Sequence, residues 1–269
     1  MPPLFDFLRR GKPEREKPSP APAISQVPLR YEGQNFKMVE GFDDVKIVLE
    51  RSIEMMRRTI LTNIDQRIHV LLAGPPGIAK TMLLLSVEKE VPQEKRLFLL
   101  GSQVSKAGLR NKLLMAGDQI ELVLIDELDK MGKTDYDVLL SLMQTGRITV
   151  LKGNIEAEKT CLATVMATAN YLEKIPPEVL DRFMILYLPQ YDAGDFEKVA
   201  LRIFVEHGFD EQSAKTLART MWANGFRSAR DVLRVARYAH GGDLQQAMTV
   251  LTIMARRSPP ENKSSRSRR

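Results

Sequence analysis

One segment constrains this chain more than any other: Gly74-Pro75-Pro76-Gly77-Ile78-Ala79-Lys80-Thr81. The apolar run 69–73 precedes it and indicates a buried strand, whereas residues 82–89 follow with the pattern of a helix. A strand, a Gly/Pro turn and Lys-Thr at the start of a helix form the arrangement that a phosphate-binding loop requires. Backbone N–H groups and the helix dipole attract an anion at such a helix N-terminus. The segment therefore predicts a binding site for nucleotide phosphates, to which every residue of the segment contributes.

The last three residues of this loop have separate predicted roles. Lys80 is expected to reach the β- and γ-phosphates, and the Thr81 hydroxyl is expected to bind Mg²⁺. Ala79 stands where such a loop usually has glycine. Because alanine tolerates helical backbone angles, we expect the helix to start there without difficulty. An ordinary turn between a strand and a helix is the alternative interpretation.

A second motif, Leu122-Val123-Leu124-Ile125-Asp126-Glu127, argues against that alternative. Its four apolar residues indicate a buried parallel strand. Its two carboxylates follow at the C-terminal end of the strand, where open α/β sheets bind ligands. Asp126 is expected to hold Mg²⁺ through water, and Glu127 to orient or deprotonate the attacking water. Either acid alone is equally typical of a strand that ends in solvent. Together with the phosphate loop, they predict an ATP-hydrolysing site that uses ATP and Mg²⁺.

The spacing of apolar runs predicts the fold class. Five strands alternate with helices up to about residue 190, which indicates a parallel sheet with helices on both faces. Gly153-Asn154 between two strand-like runs indicates a β-hairpin, and Thr134 is expected to cap the helix before it. From Asp192 onwards the pattern is helical only. We predict an α/β fold, a parallel five-stranded P-loop NTPase sheet flanked by helices in residues 31–190, followed by a small all-helical lid domain in residues 191–255.

The two ends of the chain differ in composition from the rest. Residues 1–30 are rich in proline and residues 256–269 in arginine, and both are expected to be disordered. The formal net charge is +6, and residues 256–269 alone carry six basic residues against one acidic residue. A basic tail can hold nucleic acid by releasing counterions, or it can simply keep the chain in solution. Both interpretations stay open.

Other features exclude several classes of protein. No apolar run approaches the roughly 20 residues of a membrane span. The first ten residues lack the apolar core of a secretory signal. Cys161 is the only cysteine, so no disulfide forms within the chain. We therefore expect a cytoplasmic protein without a membrane partner. One apolar cluster, Leu4-Phe5-Asp6-Phe7-Leu8, either docks on a protein partner or packs on its own domain.

The segment around the first predicted helix carries smaller expectations. Asp43 or Asp44 is expected to cap this helix, whose apolar face covers the edge of the nucleotide site. Phe36, Val39 and Gly41 either approach the adenine base or simply pack.

With these residues in place, the chain resembles AAA+ ATPases over about residues 33–250. The resemblance rests on the phosphate loop, on Asp126-Glu127, on Asn170 after a buried strand, and on Leu180-Asp181-Arg182-Phe183. It implies that Asn170 is a sensor that helps to position the water near the γ-phosphate. It also implies that Arg182 is an arginine finger acting on the ATP of a neighbouring subunit. Without the resemblance, Arg182 is a cation favoured by a helix dipole. A finger acting in trans implies a homo-oligomeric ring, a hexamer by analogy.

Residues 225–234 resemble the second-sensor helix of such proteins. When the segment is aligned on Leu233-Arg234-Val235-Ala236, Arg227 is the better match to the nucleotide-sensing arginine, and Arg230 is the runner-up. The resemblance assigns this arginine to both nucleotide binding and catalysis.

Three features indicate one branch of the family, the branch of MCM helicases, RuvB-like motors, MoxR chaperones and magnesium chelatases: Ala79, the string 126–131 and the hairpin before Asn170. The interpretation that we favour is a DNA-directed motor, with RuvB-like or MCM-like translocation or branch migration. In it the hairpin lines a pore and Lys152 contacts the phosphate backbone; a solvated hairpin tip is the alternative for Lys152. A MoxR-type chaperone that remodels a protein complex is a second interpretation. A non-catalytic scaffold is a third, against which Glu127 argues.

Overall fold

The computed structural model of the chain describes residues 33–152 and 155–257. The expectations for residues 1–30 and for the hairpin turn Gly153-Asn154 lie outside the described residues, as do those for the tail from residue 258. Arg256 and Arg257, assigned to the tail, are the last residues of a helix.

The strands are β1 (Val70–Ala73), β2 (Arg96–Leu100), β3 (Leu122–Asp126), β4 (Arg147–Lys152), β5 (Ile155–Thr160), β6 (Thr164–Ala169) and β7 (Met184–Tyr187). The helices are α1 (Asp43–Thr62), α2 (Lys80–Glu88), α3 (Lys106–Ala116), α4 (Tyr136–Gln144), α5 (Pro177–Leu180), α6 (Ala193–Glu206), α7 (Glu211–Ala223), α8 (Ala229–Tyr238) and α9 (Leu244–Arg257).

The main sheet has the order β2-β3-β6-β1-β7, and all of its neighbouring strands are parallel. The predicted five-stranded parallel sheet is therefore confirmed. The three central strands are fully buried, whereas β2 is a half-buried edge strand. The carboxyl ends of β1, β3 and β6 open at one edge of the sheet. The topology thus brings the phosphate loop, Asp126 and Asn170 together, because each follows or ends one of these strands.

A two-stranded antiparallel hairpin of β4 and β5 projects before β6, as predicted. Its base is tied to the domain by a 2.7 Å hydrogen bond from the backbone N–H of Cys161 to the carbonyl of Gly146. Ile148 is buried and anchors the hairpin against the core that also contains Leu139 and Leu142 of α4. The base of the hairpin is therefore packed against α4. Lys152 is the last residue of β4, and its side chain lies outside the described part.

The helical segment after β7 packs directly on the α/β part. One continuous apolar core joins Leu72 and Leu83 of the α/β part to Phe196 and Phe204 of α6. Burying a side chain of this size stabilises the fold by about 1.5–3 kcal/mol. The predicted helical C-terminal part is confirmed; its division from the α/β part at residue 190 stays a prediction.

Two helix starts differ from the prediction. Asp43 and Asp44 do not cap α1; they lie in its first turn, after Phe42, which adopts left-handed angles. Their charges there suit the positive end of the helix dipole. Thr134 does not cap α4, which begins after Asp135. Side-chain identity alone did not fix these starts, because neither helix uses a side-chain cap.

No helix within the described ranges has the length and apolar character needed to cross a membrane.

Candidate nucleotide site

The phosphate loop joins β1 to α2 in a conformation that few residues adopt. Ala79 has φ 66° and ψ 13°, so it is left-handed and α2 begins at Lys80. The expectation of helical angles at Ala79 is wrong: the position needs a left-handed backbone, which costs a residue with a Cβ about 1–2 kcal/mol. Gly77 also has a positive φ, and a Cβ there would lie 2.1 Å from the Ser228 hydroxyl. Glycine is therefore required where the loop touches the start of α8.

Lys80 is buried and holds the loop together. Its Nζ donates hydrogen bonds of 2.7 Å to the carbonyls of Gly74 and Pro75, and one of 2.8 Å to Oδ1 of Asn170. Burial, and after it the nearby charge of Arg230, lowers the pKa of Lys80 to about 8, while Asp126 opposes the shift. A bound phosphate would place a negative charge beside this amine and so favour its protonated form.

The side chains of the two residues predicted to bind Mg²⁺ are in direct contact. The Thr81 hydroxyl donates to both carboxylate oxygens of Asp126, at 3.1 and 3.2 Å. A hydroxyl and a carboxylate beside a phosphate site are ligands that suit Mg²⁺, which binds few protein groups and completes its shell with phosphates and water. Consistent with this, the described residues contain no cluster of three or more His, Cys, Asp or Glu side chains that could hold a metal by itself. The residues therefore fit a Mg²⁺ ion that arrives with a nucleotide.

Glu127 lies next to Asp126 in a strained conformation, with φ 58°. Its backbone N–H donates a 2.9 Å hydrogen bond to the Thr168 hydroxyl. Its half-buried carboxylate accepts a 2.7 Å hydrogen bond from Lys130, which raises the pKa of Lys130. The carboxylate is thus held by a surface lysine at the edge of the cavity.

Asn170 is oriented through its backbone as well as its side chain. Its N–H donates a 3.3 Å hydrogen bond to Oδ1 of the buried Asp129, while its Oδ1 accepts from Lys80. The side-chain amide therefore faces the phosphate loop.

A cavity of about 440 Å³ lies between the α/β part and the lid. The predicted residues that line it are Pro76, Gly77, Ala79, Lys80, Thr81, Asp126, Glu127, Asn170 and Arg230. Apolar side chains of Val39, Tyr191, Val199 and Ile203 also line it, together with the charged Arg202 and Glu206 of α6. Charged loop residues and apolar side chains in one cavity suit the phosphates and the base of a nucleotide. Phe36, for which base contact and simple packing were both open, is packed in the core.

The remaining predicted loop residues support the phosphate loop without lining the cavity. Gly74, Pro75 and Ile78 do not line it; the carbonyls of Gly74 and Pro75 hold Lys80, and Ile78 is buried in the core.

The preference for Arg227 over Arg230 does not match the geometry. Arg227 precedes α8, stacks 3.6 Å from the ring centroid of Trp222, and donates hydrogen bonds to the carbonyls of Trp222 and Phe226. Arg230 lies in the first turn of α8, which faces the phosphate loop through a 3.1 Å hydrogen bond from the Ala229 N–H to the Gly77 carbonyl. Arg230 therefore lines the cavity and Arg227 does not.

Arg182 lies far from the cavity of its own chain. It precedes β7, and β7 begins opposite Val70 and ends opposite Ala73, the residue before the phosphate loop. At about 3.3 Å per residue, the strand alone separates the two ends by roughly 10 Å. The exposed Arg182 side chain has no ion pair or hydrogen bond within residues 33–152 and 155–257.

Several residues in or beside the cavity were missed from the sequence. Thr168 precedes Asn170 by two positions on β6, and the two-residue period of a strand gave a usable signal that both face one side. Asp129 belongs to the acidic string that was noted, although no role was given to it. Tyr191 and Ile203 belong to no motif, and no sequence signal pointed to them.

Comparison with known protein families and sequences gives concordant matches. The family model of the MCM P-loop domain matches residues 36–188. The Holliday junction branch migration complex subunit RuvB of Leifsonia xyli subsp. xyli is 30% identical over 185 residues, which cover 65% of this chain and 53% of the RuvB chain. An uncharacterised MCM-type protein of Methanocaldococcus jannaschii is 31% identical over 183 residues, 57% of this chain and 24% of that protein. The chain thus spans about half of the RuvB relative and about a quarter of the MCM-type relative.

Two further comparisons concern a protease and solved structures. A Lon protease of Mycoplasma pneumoniae is 26% identical over 202 residues, 65% of this chain and 24% of the protease. A variant of Thermotoga maritima RuvB superposes with a TM-score of 0.59 and 18% identity, over 85% of this chain and 74% of that chain. The RuvB Holliday junction branch migration motor of the same organism superposes with a TM-score of 0.57 and 19% identity, over 80% of this chain and 71% of that chain. At such identities the likeness shows a shared fold.

Proposed function

The chain belongs to the family of the MCM P-loop domain, and from this premise we propose that it hydrolyses ATP to ADP and phosphate within a homo-oligomeric ring that acts on DNA. This membership confirms the predicted resemblance to RuvB-like and MCM-like AAA+ ATPases. The observation that carries the proposal is the convergence of Lys80, Asp126, Glu127 and Asn170 on one cavity that apolar side chains also line.

In the proposed reaction each of these side chains acts on the phosphate end of ATP. The buried Lys80 turns from its three oxygen acceptors towards the β- and γ-phosphates and neutralises their charge. Asn170 orients the attacking water, and Glu127 accepts its proton once the carboxylate is released from Lys130. Thr81 and Asp126 would hold Mg²⁺, which stabilises the charge on the transferring phosphoryl group. Arg230, at the start of α8, binds the phosphates from the lid side.

Arg182 completes the site of a second copy of the chain. Its distance from its own cavity and its unpaired guanidinium among the described residues support action in trans. The edge strand that follows exposes Met184, Ile185 and Tyr187, an apolar surface beside the charge. Exposed apolar surface of this kind is favourably covered in an assembly. A ring built through this edge would place Arg182 against a neighbouring nucleotide, and a hexamer is the state that we propose by analogy.

DNA is the proposed substrate of the ring. Relatives named for work on DNA include RuvB and the maternal DNA replication licensing factor mcm3 of Xenopus laevis, and the latter is 29% identical over 177 residues. In the proposal, the hairpin of β4 and β5 carries Lys152 towards the phosphate backbone. The similarity to Lon proteases favours a second candidate, a motor that acts on a protein, of which a MoxR-type chaperone is one form.

Steady-state ATP hydrolysis with and without forked or four-way DNA tests the proposal. We expect a basal rate, stimulation by DNA, and weaker stimulation as salt rises, because phosphate contacts release counterions. Lys80→Ala is the inactive control, and Lys152→Ala should lose the stimulation while keeping the basal rate. A basal rate that no DNA raises would favour the protein-directed motor. The absence of hydrolysis under all of these conditions would overturn the ATPase itself.

A further inference from the structure

We propose that Thr168 is a positioning residue that holds Asp126 and Glu127 in the geometry needed for a nucleotide-bound Mg²⁺ ion. The inference rests on the proposed ATPase function and assigns a role to a residue outside the recognised motifs.

The Thr168 hydroxyl joins both acids at once. It donates a hydrogen bond to Oδ1 of Asp126 and accepts a 2.9 Å hydrogen bond from the backbone N–H of Glu127. A hydroxyl has a single proton, and the Glu127 N–H can only donate. The proton of Thr168 therefore goes to the carboxylate, and the direction of both bonds is fixed. Thr168 is 2% exposed, so water does not compete for either bond.

The position of Thr168 explains why a side chain is needed here. The parallel pairing of β3 with β6 ends at Ile125 and Ala167. Asp126 and Glu127 lie beyond the last residues that pair with β6, although Asp126 still pairs with Leu100 of β2. Glu127 takes left-handed angles that are unfavourable for a residue with a side chain. The Thr168 hydroxyl supplies a hydrogen-bond acceptor to the strained residue at the point where the backbone ladder stops. The Thr168 hydroxyl thereby helps to stabilise the left-handed backbone at Glu127, directly after Asp126.

Thr168 gains importance when a metal binds. In the structure two hydroxyls donate to the Asp126 carboxylate, those of Thr81 and Thr168. The proposed role of Thr81 as a Mg²⁺ ligand directs its oxygen to the metal, so its proton donation to Asp126 changes. Thr168, which does not approach the metal in this arrangement, continues to fix the orientation of the carboxylate. Loss of its hydroxyl should therefore reduce Mg²⁺-dependent binding more than binding of the nucleotide alone.

The same strand provides a matched control. Thr164 begins β6, is fully buried, and its hydroxyl has no hydrogen-bond partner within the described residues. Thr164→Val and Thr168→Val remove the same group from the same strand, four positions apart. Only the second change breaks the contacts with the acids. A general effect of replacing a hydroxyl by a methyl group in this buried strand would appear in both variants.

The experiment measures the affinity for a fluorescent, non-hydrolysable ATP analogue in EDTA and in Mg²⁺, using the full chain. For wild-type protein and Thr164→Val we expect the same gain in affinity from Mg²⁺. For Thr168→Val we expect EDTA affinity within about twofold of wild type and at least a tenfold smaller gain from Mg²⁺, the size expected for one lost hydrogen bond to a charged group. Thr168→Ser, which keeps the hydroxyl, should restore the gain. Circular dichroism establishes folding, and Thr168→Ala replaces the valine variant if that variant does not fold.

The outcomes separate the two proposals. A Thr168→Val or Thr168→Ala protein with the full gain from Mg²⁺ would overturn the role of Thr168, as would an equal loss in Thr164→Val. A wild-type protein that binds no nucleotide in either condition would instead overturn the proposed nucleotide site.

Discussion

Nζ of Lys80 donates a hydrogen bond of 2.8 Å to Oδ1 of Asn170. The two residues follow β1 and β6, which are neighbours in the sheet, so the loop lysine and the proposed sensor meet without any ligand. The same amine is held by two loop carbonyls. An arriving γ-phosphate must draw Lys80 away from these acceptors, and this changes the contact with Asn170 at the same time. The hydrogen bond between Lys80 and Asn170 therefore couples phosphate binding at the loop to the orientation of the Asn170 side chain.

The lowered pKa of Lys80 predicts a pH-dependent affinity for nucleotide. Burial, and then the charge of Arg230, lowers the pKa to about 8. Only the protonated amine attracts phosphate, and a bound phosphate raises its pKa. Affinity should therefore be constant below pH 8 and fall by up to about tenfold per pH unit above it. Fluorescence titration with labelled ADP between pH 6.5 and 9.5 measures this. Lys80→Arg, which keeps its charge, should show a flat profile, and a flat profile in the wild type would contradict the assignment.

Replacing Glu127 by glutamine should separate binding from turnover. The amide keeps the size of the side chain but accepts no proton from water, so hydrolysis should fall by about 10²- to 10⁴-fold. The affinity for ATP should stay within about threefold of the wild-type value. Phosphate release and nucleotide titration measure the two effects. Glu211→Gln, at an exposed acid on α7, is the control that should change neither quantity. Turnover at the wild-type rate in Glu127→Gln would remove the proposed role.

Arg230 and Arg227 should give opposite results when each is replaced by alanine. Arg230→Ala removes a cation from the cavity and should weaken ATP binding or hydrolysis by about tenfold, with little change in stability. Arg227→Ala removes the stacking on Trp222 and should lower the free energy of unfolding by about 1–2 kcal/mol. Its affinity for nucleotide should remain that of the wild type. Nucleotide titration and urea unfolding of both variants measure the contrast, and the reverse pattern would restore the original preference for Arg227.

The local motifs predicted the phosphate end of the cavity, and the rest depended on tertiary structure. Lys80 and Asp126 were identified from motifs that adjoin strands with a recognisable apolar pattern, and Asn170 from the resemblance to AAA+ ATPases. Arg227 was preferred because a helix alignment does not reveal where α8 begins; the cap at Ser228 decides which arginine faces the loop. The backbone angles of Ala79 were predicted wrongly because the conformation of the phosphate loop, and not the helix propensity of alanine, determines them. Tyr191 reaches the cavity from more than a hundred residues beyond the loop, and no local pattern encodes such a contact.

His69 predicts how the stability of the fold depends on pH. Its Nδ1 accepts a 2.9 Å hydrogen bond from the Val165 N–H, and its Nε2 donates to the Met143 carbonyl, so the ring is neutral. Burial lowers its pKa from 6.5 to about 4. Between these values the unfolded chain binds the proton and the folded chain does not. The stability that the neutral His69 contributes is therefore fully present above pH 6.5 and is lost as pH falls towards 4. The free energy of unfolding should fall by about 3 kcal/mol in total over this interval.

Urea unfolding at several pH values between 7 and 4 measures this loss. His69→Gln removes the titrating ring, so its smaller stability should vary less with pH over the same interval. Equal pH dependence in the two proteins would assign the effect to other groups.

Mixing two inactive proteins tests whether Arg182 acts between subunits. Lys80→Ala subunits lack a working nucleotide site but keep Arg182, whereas Arg182→Ala subunits keep the site and lack the finger. In mixed rings, some interfaces combine an intact site with an intact Arg182, so hydrolysis should reappear although each protein alone is inactive. Subunits that carry both changes are the control, because mixing them with Lys80→Ala subunits restores no complete interface. Phosphate release measured against the mixing ratio should pass through a maximum near equal amounts. If mixing gave no activity while the rings exchanged subunits, Arg182 would not act in trans, and its position at the far end of β7 would require another explanation.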